Sequence, residues 1–410
     1  MERYQSLKVR FIRNISYKTI ADFISRLATV FVTVFLTRKL TQEQFGLFSY
    51  GLAFAMTCVL MMDFGWNSVL VRKAKQPNFA TALLSVFSLK VGILVLTVLL
   101  FTALPFLLPT KIPLAIFLGC YFYASSISFQ DYQGAAIAGL ERFDLEWIFK
   151  IIPRWVPFLL LLWLLKGNPT PVFASLLIGV SALGITLVMI AVLFKSILKE
   201  SALFSKEDIQ VLLKEGAPFG LAALVWGIYT RLDVMLLGFY DFPLDQIGVY
   251  SAAIKIVDFS RGLAMIFYVA MIPIFNDYHQ NLKGLRRIIL KISAGFMVLL
   301  LLSLPLIYKG TPFVINLIYG EAYAGGSLPL ALALTGMLLF LMNTPFLAAF
   351  VSLGRGKLAL LGSSLMLLTC FTVNLWLLPN KGLMAPSWAI VAAEAMWLFL
   401  NAFFLFARLK

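Results

Sequence analysis

Twelve runs of apolar residues follow one another along the chain, and polar punctuation separates them. A membrane-spanning helix needs about 20 predominantly apolar residues, and Pro, Gly, Asn and Lys mark most of the breaks. The pattern therefore predicts an all-α polytopic membrane protein with twelve transmembrane helices. Their predicted bounds are 16–37, 46–70, 81–108, 113–139, 145–166, 171–198, 217–239, 246–276, 285–308, 328–352, 357–378 and 383–407.

Two shorter segments do not fit a span. Residues 311–326 are apolar at first and too short to cross, so we expect a short interfacial helix outside the membrane. Residues 203–214 alternate apolar and charged side chains, which is typical of an amphipathic helix on the cytoplasmic surface.

The composition agrees with this class. The 410 residues are 61% hydrophobic, against about 45–50% for a soluble domain. The net charge of +15 does not indicate a nucleic-acid partner, because basic loops of membrane proteins set topology and touch anionic lipid. Three cysteines in apolar spans and the lone His279, in a polar loop, give no metal-ligand spacing, so we expect no metal and no catalytic site.

Lys and Arg in the loops predict the orientation. With the N-terminus in the cytoplasm, 19 of them fall in inside segments and 6 in outside segments. Cytoplasmic loops carry the excess of basic residues. Both termini are therefore expected in the cytoplasm, which requires an even number of helices.

A seven-residue pattern occurs twice. Residues 44–50 (QFGLFSY) open the second predicted helix, and residues 246–252 (QIGVYSA) open the eighth, at an offset of 202. This repeat predicts two six-helix lobes of parallel orientation, as in transporters. We expect an N-terminal lobe at 1–198, a cytoplasmic linker at 199–216 and a C-terminal lobe at 217–410.

Charged residues inside the predicted spans are the main functional signal. A charge at bilayer depth costs about 2.5–3.5 kcal/mol, so these residues must line a wet cavity or pair with one another. The cations outnumber the acids, and the cavity is expected to receive an anion. The nine cations are Lys18, Arg26, Lys90, Lys150, Arg154, Arg231, Lys255, Arg261 and Lys291, and the six acids are Asp22, Asp63, Asp131, Asp233, Asp258 and Glu394.

Three helices carry one acid among two cations at helical spacing. Pairing within each helix would satisfy the acid and leave a surplus cation, and Arg suits bidentate binding of phosphate oxygens. Both interpretations, structural pairing and anion binding, stay open. The three sets are Lys18, Asp22 and Arg26; Glu146, Lys150 and Arg154; and Lys255, Asp258 and Arg261.

The other intramembrane charges are less specific. Arg231 and Asp233 are two residues apart, so they lie on different helix faces and need partners elsewhere. The stems of Lys90 and Lys291 could snorkel to the interface. Glu394 is either a protonated structural residue or a coupling site.

Asp63 and Asp131 lie toward the cytoplasmic ends of their helices. We expect capping there, or pairing with the nearby Arg72 and Arg142.

Several segments in order resemble the polysaccharide-transport (Wzx-type) flippases of the multidrug/oligosaccharidyl-lipid/polysaccharide exporter superfamily. Residues 41–50 (TQEQFGLFSY) with 63–65 (DFG) and Arg72 resemble the first-to-second helix region of that family. The remaining segments are 139–143 (GLERF), 229–238 (YTRLDVMLLG), 247–253 (IGVYSAA) with Lys255, and 319–323 (YGEAY).

This resemblance implies alternating access by two six-helix lobes around a central cationic cavity. The substrate would be an oligosaccharide linked to undecaprenyl pyrophosphate, moved from the cytoplasmic to the outer leaflet of the inner membrane. Membrane lipids and the polysaccharide polymerase and chain-length machinery are the expected partners. No cofactor is implied beyond coupling to H⁺ or Na⁺.

We therefore expect six cations to bind the pyrophosphate and four acids to support them, one of which exchanges a coupling ion. The cations are Arg26, Lys150, Arg154, Arg231, Lys255 and Arg261. The acids are Asp22, Asp63, Asp233 and Asp258.

Two alternatives stay open. A cation-coupled exporter of other amphiphiles would share the fold, although cationic drugs would favour an acidic cavity. A membrane glycan polymerase or ligase would need a catalytic surface outside, and no outer loop shows a catalytic pair.

Overall fold

The structure, a computed structural model, describes residues 2–74, 76, 79–164, 167, 169–197, 206–278 and 281–408. These residues form fourteen α-helices and three short 3-10 helices and contain no strand, so the all-α prediction is confirmed. The α-helices are α1 (Glu2–Lys39), α2 (Gln42–Val59), α3 (Trp66–Lys73), α4 (Phe79–Ala103), α5 (Leu114–Gly139), α6 (Phe143–Leu164), α7 (Pro171–Ile197), α8 (Lys206–Tyr229), α9 (Leu232–Phe239), α10 (Leu244–Asn276), α11 (Leu282–Tyr319), α12 (Ser327–Ser352), α13 (Gly356–Lys381) and α14 (Met384–Arg408). The 3-10 helices are Leu60–Asp63, Pro105–Leu107 and Glu321–Gly326.

Ten spans in the described residues are long and apolar enough to cross a membrane, and the count is eleven if the two halves of α8, bent by 57°, are taken as one span. The predicted span at 113–139 exists as α5 but is not among them. Its Ser, Gln and Asp side chains lower its mean hydropathy, and Ser125, Ser128, Gln130 and Gln133 are buried against protein. The chain is thus a multi-pass membrane protein in which α5 is a polar core helix.

Two predicted spans are broken rather than continuous. The span at 46–70 ends at Val59, passes through the 3-10 helix and resumes at Trp66. Gly65 lies in the left-handed region (φ 77°), and a Cβ there would overlap the carbonyl of Gly216, so this break brings the α8 backbone close. The span at 217–239 breaks at Arg231, between α8 and α9.

The two short helices predicted at 311–326 and 203–214 are not separate elements, because most of each segment is part of a longer helix. Residues 311–319 continue α11 through Pro305 and Pro312, because neighbouring groups in a membrane protein can satisfy the backbone that a proline frees. The helix then stops at Gly320 (φ 94°), and a 3-10 helix follows. The predicted amphipathic helix at 203–214 is the first part of α8 from Lys206 onward, and residues 203–205 lie outside the described part.

The chain divides into two compact units. Unit 1 is Met1–Val32 with Tyr50–Gly227, and unit 2 is Thr33–Ser49 with Ile228–Lys410. These bounds are not those of the lobes expected from the repeat, because the C-terminal end of α1 and the start of α2 group with the C-terminal helices. The second boundary in the sequence falls inside α8 rather than in a linker.

The sequence repeat brings its two copies into contact within unit 2. A Cβ added to Gly46 would overlap the carbonyl of Leu244, and one added to Gly248 would overlap the carbonyl of Gln42. Each glycine thus meets the residue that lies four positions before the other glycine. The two contacts are equivalent under the offset of 202, and the starts of α2 and α10 cross with two-fold-like symmetry.

Side chains next to and within the first copy of the repeat also contact the end of α11 and the 3-10 helix after it. The Arg38 guanidinium donates to the carbonyls of Leu317 at 2.8 Å and Ile318 at 3.0 Å, in the last helical turn, where carbonyls have no partner within the helix. The Phe45 ring meets the Tyr323 ring edge-on, and the two ring centroids are 6.3 Å apart. These contacts explain why residues 33–49 belong to unit 2.

Candidate functional site

Four charged residues of unit 2 form one cluster, called here the unit 2 cluster: Arg231, Lys255, Asp258 and Arg261. The i, i+3, i+6 spacing on α10 places the last three on neighbouring turns, and the break between α8 and α9 supplies Arg231. Asp258 accepts from Arg231 and from Arg261 at 3.4 Å each, and Lys255 lies 3.7 Å from it. One carboxylate therefore holds three cations.

The unit 2 cluster carries a surplus of positive charge. Its side chains are 11–28% exposed, so they are neither sealed in the core nor free in solvent. The nitrogen–oxygen distances exceed the roughly 2.7–2.9 Å of a tight charge-assisted hydrogen bond. Because the three cations are held only loosely by one acid, an anionic ligand could bind to them.

Asp233 does not join the unit 2 cluster by a hydrogen bond. It is 5% exposed and accepts from the Tyr250 hydroxyl at 3.0 Å and from the Val234 amide at 2.8 Å. Arg231 and Asp233 thus have partners elsewhere, as their spacing predicted. These contacts give Asp233 a structural role at the start of α9.

Glu394 on α14 is fully buried and hydrogen-bonded. It accepts from the Tyr229 hydroxyl at 2.9 Å and from the Asn343 amide at 3.0 Å, and Asn401 donates to Asn343 at 3.0 Å. Sequence reasoning missed this network, because its members are far apart in the chain and only Glu394 is charged. Both carboxylate oxygens accept, which suits a structural acid joining α8, α12 and α14.

A second polar cluster lies in unit 1, where α1, α5 and α6 meet. It is called here the unit 1 cluster, and it consists of Asp22, Gln130, Asp131, Lys150 and Arg154. Asp22 pairs with Lys150, and Arg154 donates to Gln130 at 3.0 Å. Asp131 interacts electrostatically with Lys150 and Arg154.

The charged residues of the unit 1 cluster therefore pair with residues on neighbouring helices. Their spacing in the sequence indicated pairing between charges on the same helix. The Trp155 indole also donates to the Ile24 carbonyl of α1 at 3.1 Å. Arg26 is half-buried, and no hydrogen bond or ion pair links it to another described residue. The side chains of Lys18 and Glu146 lie outside the described part.

Asp63 and Lys90 form an ion pair next to this cluster, in which Lys90 is buried and Asp63 is partly exposed. The Lys90 ammonium, which is 0% exposed, lies 2.5 Å from Asp63 and 2.7 Å from the Ser128 hydroxyl. Ser128 also donates to Asp63 at 2.8 Å. The snorkelling interpretation of Lys90 is wrong, because α4 packs this side chain inward.

The expected pairing of Asp63 with Arg72 is wrong as well. Arg72 lies 3.7 Å from Glu215 of α8, and both side chains are exposed. Lys291 is exposed on α11, as the snorkelling interpretation of that residue required. No group of three or more His, Cys, Asp or Glu side chains able to hold a metal occurs in the described residues, and His279 lies outside them.

Solved structures with the same fold are membrane transporters. One is described as lipid II flippase MurJ in an inward closed conformation, with a TM-score of 0.73 and 17% identity over 95% of this chain and 87% of that chain. Another is an inward-facing multidrug resistance MATE family transporter of the MOP superfamily, with a TM-score of 0.73 and 16% identity over 94% of both chains. A third is the MATE multidrug transporter DinF-BH, solved as a complex, with a TM-score of 0.69 and 18% identity over 97% of this chain and 95% of that chain.

The fold is therefore that of the MOP superfamily, the multidrug/oligosaccharidyl-lipid/polysaccharide exporters. The chain belongs to the polysaccharide biosynthesis protein family, whose model matches residues 11–279. The expected family and fold class are thus confirmed. No match was found among curated proteins.

Proposed function

We propose that this protein is a flippase for oligosaccharides linked to a lipid pyrophosphate of the undecaprenyl type. It would move them by alternating access from the cytoplasmic to the outer leaflet of the inner membrane, for surface polysaccharide synthesis. Membership of the polysaccharide biosynthesis family supports the sugar cargo. The proposal assigns transport rather than catalysis, with both termini in the cytoplasm and delivery to the polymerase and chain-length machinery outside.

The observation that carries the proposal is the unit 2 cluster. Three cations share Asp258, two of them on the membrane-spanning helix α10 and Arg231 at the break between α8 and α9, so the cluster has a formal charge of +2. A pyrophosphate diester carries a negative charge on each of its two phosphate groups, and Arg binds such oxygens in a bidentate way. The cargo would therefore neutralise the surplus.

We assign roles to the residues on this basis. Arg231 and Arg261 bind phosphate oxygens, Lys255 adds charge, and Asp258 holds the three cations in place when no cargo is bound. In unit 1 we propose that Arg26, Lys150 and Arg154 also contact the phosphates, with Asp22 as the counter-charge of Lys150. Asp233 accepts from the backbone at the start of α9, and Asp63 pairs with Lys90. We assign coupling to H⁺ or Na⁺ to one of the four acids Asp22, Asp63, Asp233 and Asp258.

A cation-coupled exporter of other amphiphiles is the second candidate, since multidrug transporters of the MATE family have the same fold. The charges of this chain disfavour it. A cationic cargo would be repelled by a cluster with one acid and three cations.

Transport by charge variants tests the assignment. The parent, Arg231→Gln, Arg261→Gln and the control Lys309→Gln, an exposed cation of α11, would be reconstituted in proteoliposomes with a pyrophosphate-linked oligosaccharide lipid. An external glycosidase would score the sugar that reaches the outer leaflet.

We expect the two Arg variants to lose about tenfold or more in rate, because a hydrogen bond to a charged group contributes about 1.5–3 kcal/mol. Lys309→Gln should transport like the parent. Full transport by folded, monodisperse Arg231→Gln and Arg261→Gln would remove the assigned site.

A further inference from the structure

The helix α11 presents two different faces along its first three turns. Leu285, Ile289 and Ser293 are buried and follow one stripe against the rest of unit 2. Lys283, Arg287 and Lys291 occupy another stripe at i, i+4 and i+8, and all three are exposed. The functional assignment above does not use these cations.

This exposed stripe has no acidic partner among the residues that the structure describes. The 38 residues of α11 include no Asp or Glu. Lys283, Arg287 and Lys291 form no hydrogen bond or ion pair with any described residue, and Asp277, the acid shortly before them at the end of α10, is not paired with them. Within the described part of the chain, the stripe is therefore a line of positive charge without an acidic partner on the protein surface.

The stripe lies at one end of α11, a helix long and apolar enough to cross a membrane, and it is longer than the headgroup region of one leaflet. A rise of 1.5 Å per residue puts Lys291 about 12 Å along the axis from Lys283, and the polar region of one leaflet is about 5–8 Å thick. Beyond it, the exposed residues Met297, Val298 and Leu301 continue the same helix as an apolar surface suited to acyl chains. Long cationic stems reach from the edge of the hydrocarbon back to the phosphates.

We propose that Lys283, Arg287 and Lys291 form a binding site for the phosphate headgroups of anionic phospholipids. The charge of the stripe selects an anion, and the apolar surface next to it accommodates the tails of a lipid. A lipid-linked oligosaccharide fits less well, because the exposed neighbours Leu290 and Met297 cannot hydrogen-bond to a sugar. The occupant is thus a lipid of the surrounding bilayer, and this site is separate from the transport cargo.

Native mass spectrometry of the purified full-length protein tests this site. Phosphatidylglycerol, phosphatidylcholine and an undecaprenyl pyrophosphate lipid would each be titrated against three proteins. These are the parent, the variant Lys283→Gln/Arg287→Gln/Lys291→Gln and the control Lys309→Gln, which removes a cation from the other end of the same helix.

We expect the triple variant to retain at least about threefold less phosphatidylglycerol than the parent, with phosphatidylcholine unchanged. Lys309→Gln should bind both lipids like the parent. Equal phosphatidylglycerol retention by the triple variant would overturn the site, and so would an equal loss in Lys309→Gln. A triple variant that loses only the pyrophosphate lipid would show a cargo site instead. Because the readout is lipid retention, the result does not depend on whether the protein transports sugar.

Discussion

Asp258 is the residue whose substitution should most directly destabilise unit 2, because it is the acid of the unit 2 cluster. It is the shared counter-charge of Arg231, Lys255 and Arg261 at 3.4–3.7 Å, so Asp258→Asn would leave three neighbouring cations without an acidic partner in the cluster. We predict a loss of about 1–3 kcal/mol in stability, at the low end because Asp258 is 25% exposed. A thermal melt of the purified protein measures the shift. Asp245→Asn, an exposed acid on the same helix, is the control and should melt like the parent.

The Lys90–Asp63 pair allows a test by a double substitution. Lys90→Met would leave the Asp63 carboxylate without its counter-charge, and we expect it to cost less than the roughly 3–5 kcal/mol of a fully buried pair, because Asp63 is 26% exposed. Asp63→Asn/Lys90→Met removes both charges, so it should melt above Lys90→Met. A double variant no more stable than Lys90→Met would show that the pair contributes through packing rather than charge.

The partners of these side chains could not be predicted from the sequence. Helical periodicity shows which charges share a face of one helix, and on that basis Asp22 belonged with Lys18 and Arg26. The structure pairs Asp22 with Lys150 of α6 and Asp63 with Lys90 of α4, because interhelical packing decides which faces meet. On α10, Lys255 and Arg261 do pair with Asp258 of the same helix, as their spacing indicated. Arg231 joins them from the break between α8 and α9.

At the scale of helices, the crossing of α2 and α10 gives a sharp prediction. Gly46→Ala would place a methyl group on the carbonyl of Leu244, which forces the two helix starts apart. We expect a loss of about 1–3 kcal/mol, as for other overpacked contacts. The melting temperature measures it, with Gly310→Ala as the matched helical control, since a Cβ there meets nothing within 4 Å. Equal stability of parent and Gly46→Ala would contradict the close crossing.

Hydropathy located the helices well, and it failed where tertiary contacts decide the backbone. The predicted spans 171–198 and 328–352 correspond closely to α7 and α12. The breaks at Gly65 and Arg231 fall inside long apolar runs, where a single Gly or Arg does not by itself predict the end of a helix. The predicted span in α11 ended at residue 308, yet the helix continues through Pro312 to Tyr319, because proline is tolerated where neighbouring groups satisfy the backbone.

At the scale of the whole molecule, family membership and charge support the same class of cargo. The chain carries 34 basic and 19 acidic residues, and the unit 2 cluster repeats that surplus inside the membrane. Unit 1 has its own cations, with Lys150 and Arg154 held on α6. An anionic lipid cargo is favoured over a cationic one in either unit.

The measurement that tests this account most directly is a comparison of cargoes with the unmodified protein. Proteoliposomes would be given a pyrophosphate-linked oligosaccharide lipid in one experiment and a cationic rhodamine dye in another, with H⁺ and Na⁺ gradients applied in turn. We predict that the sugar lipid reaches the opposite leaflet faster than in protein-free liposomes, and that the dye does not move. Transport of the dye without transport of the sugar lipid would contradict it.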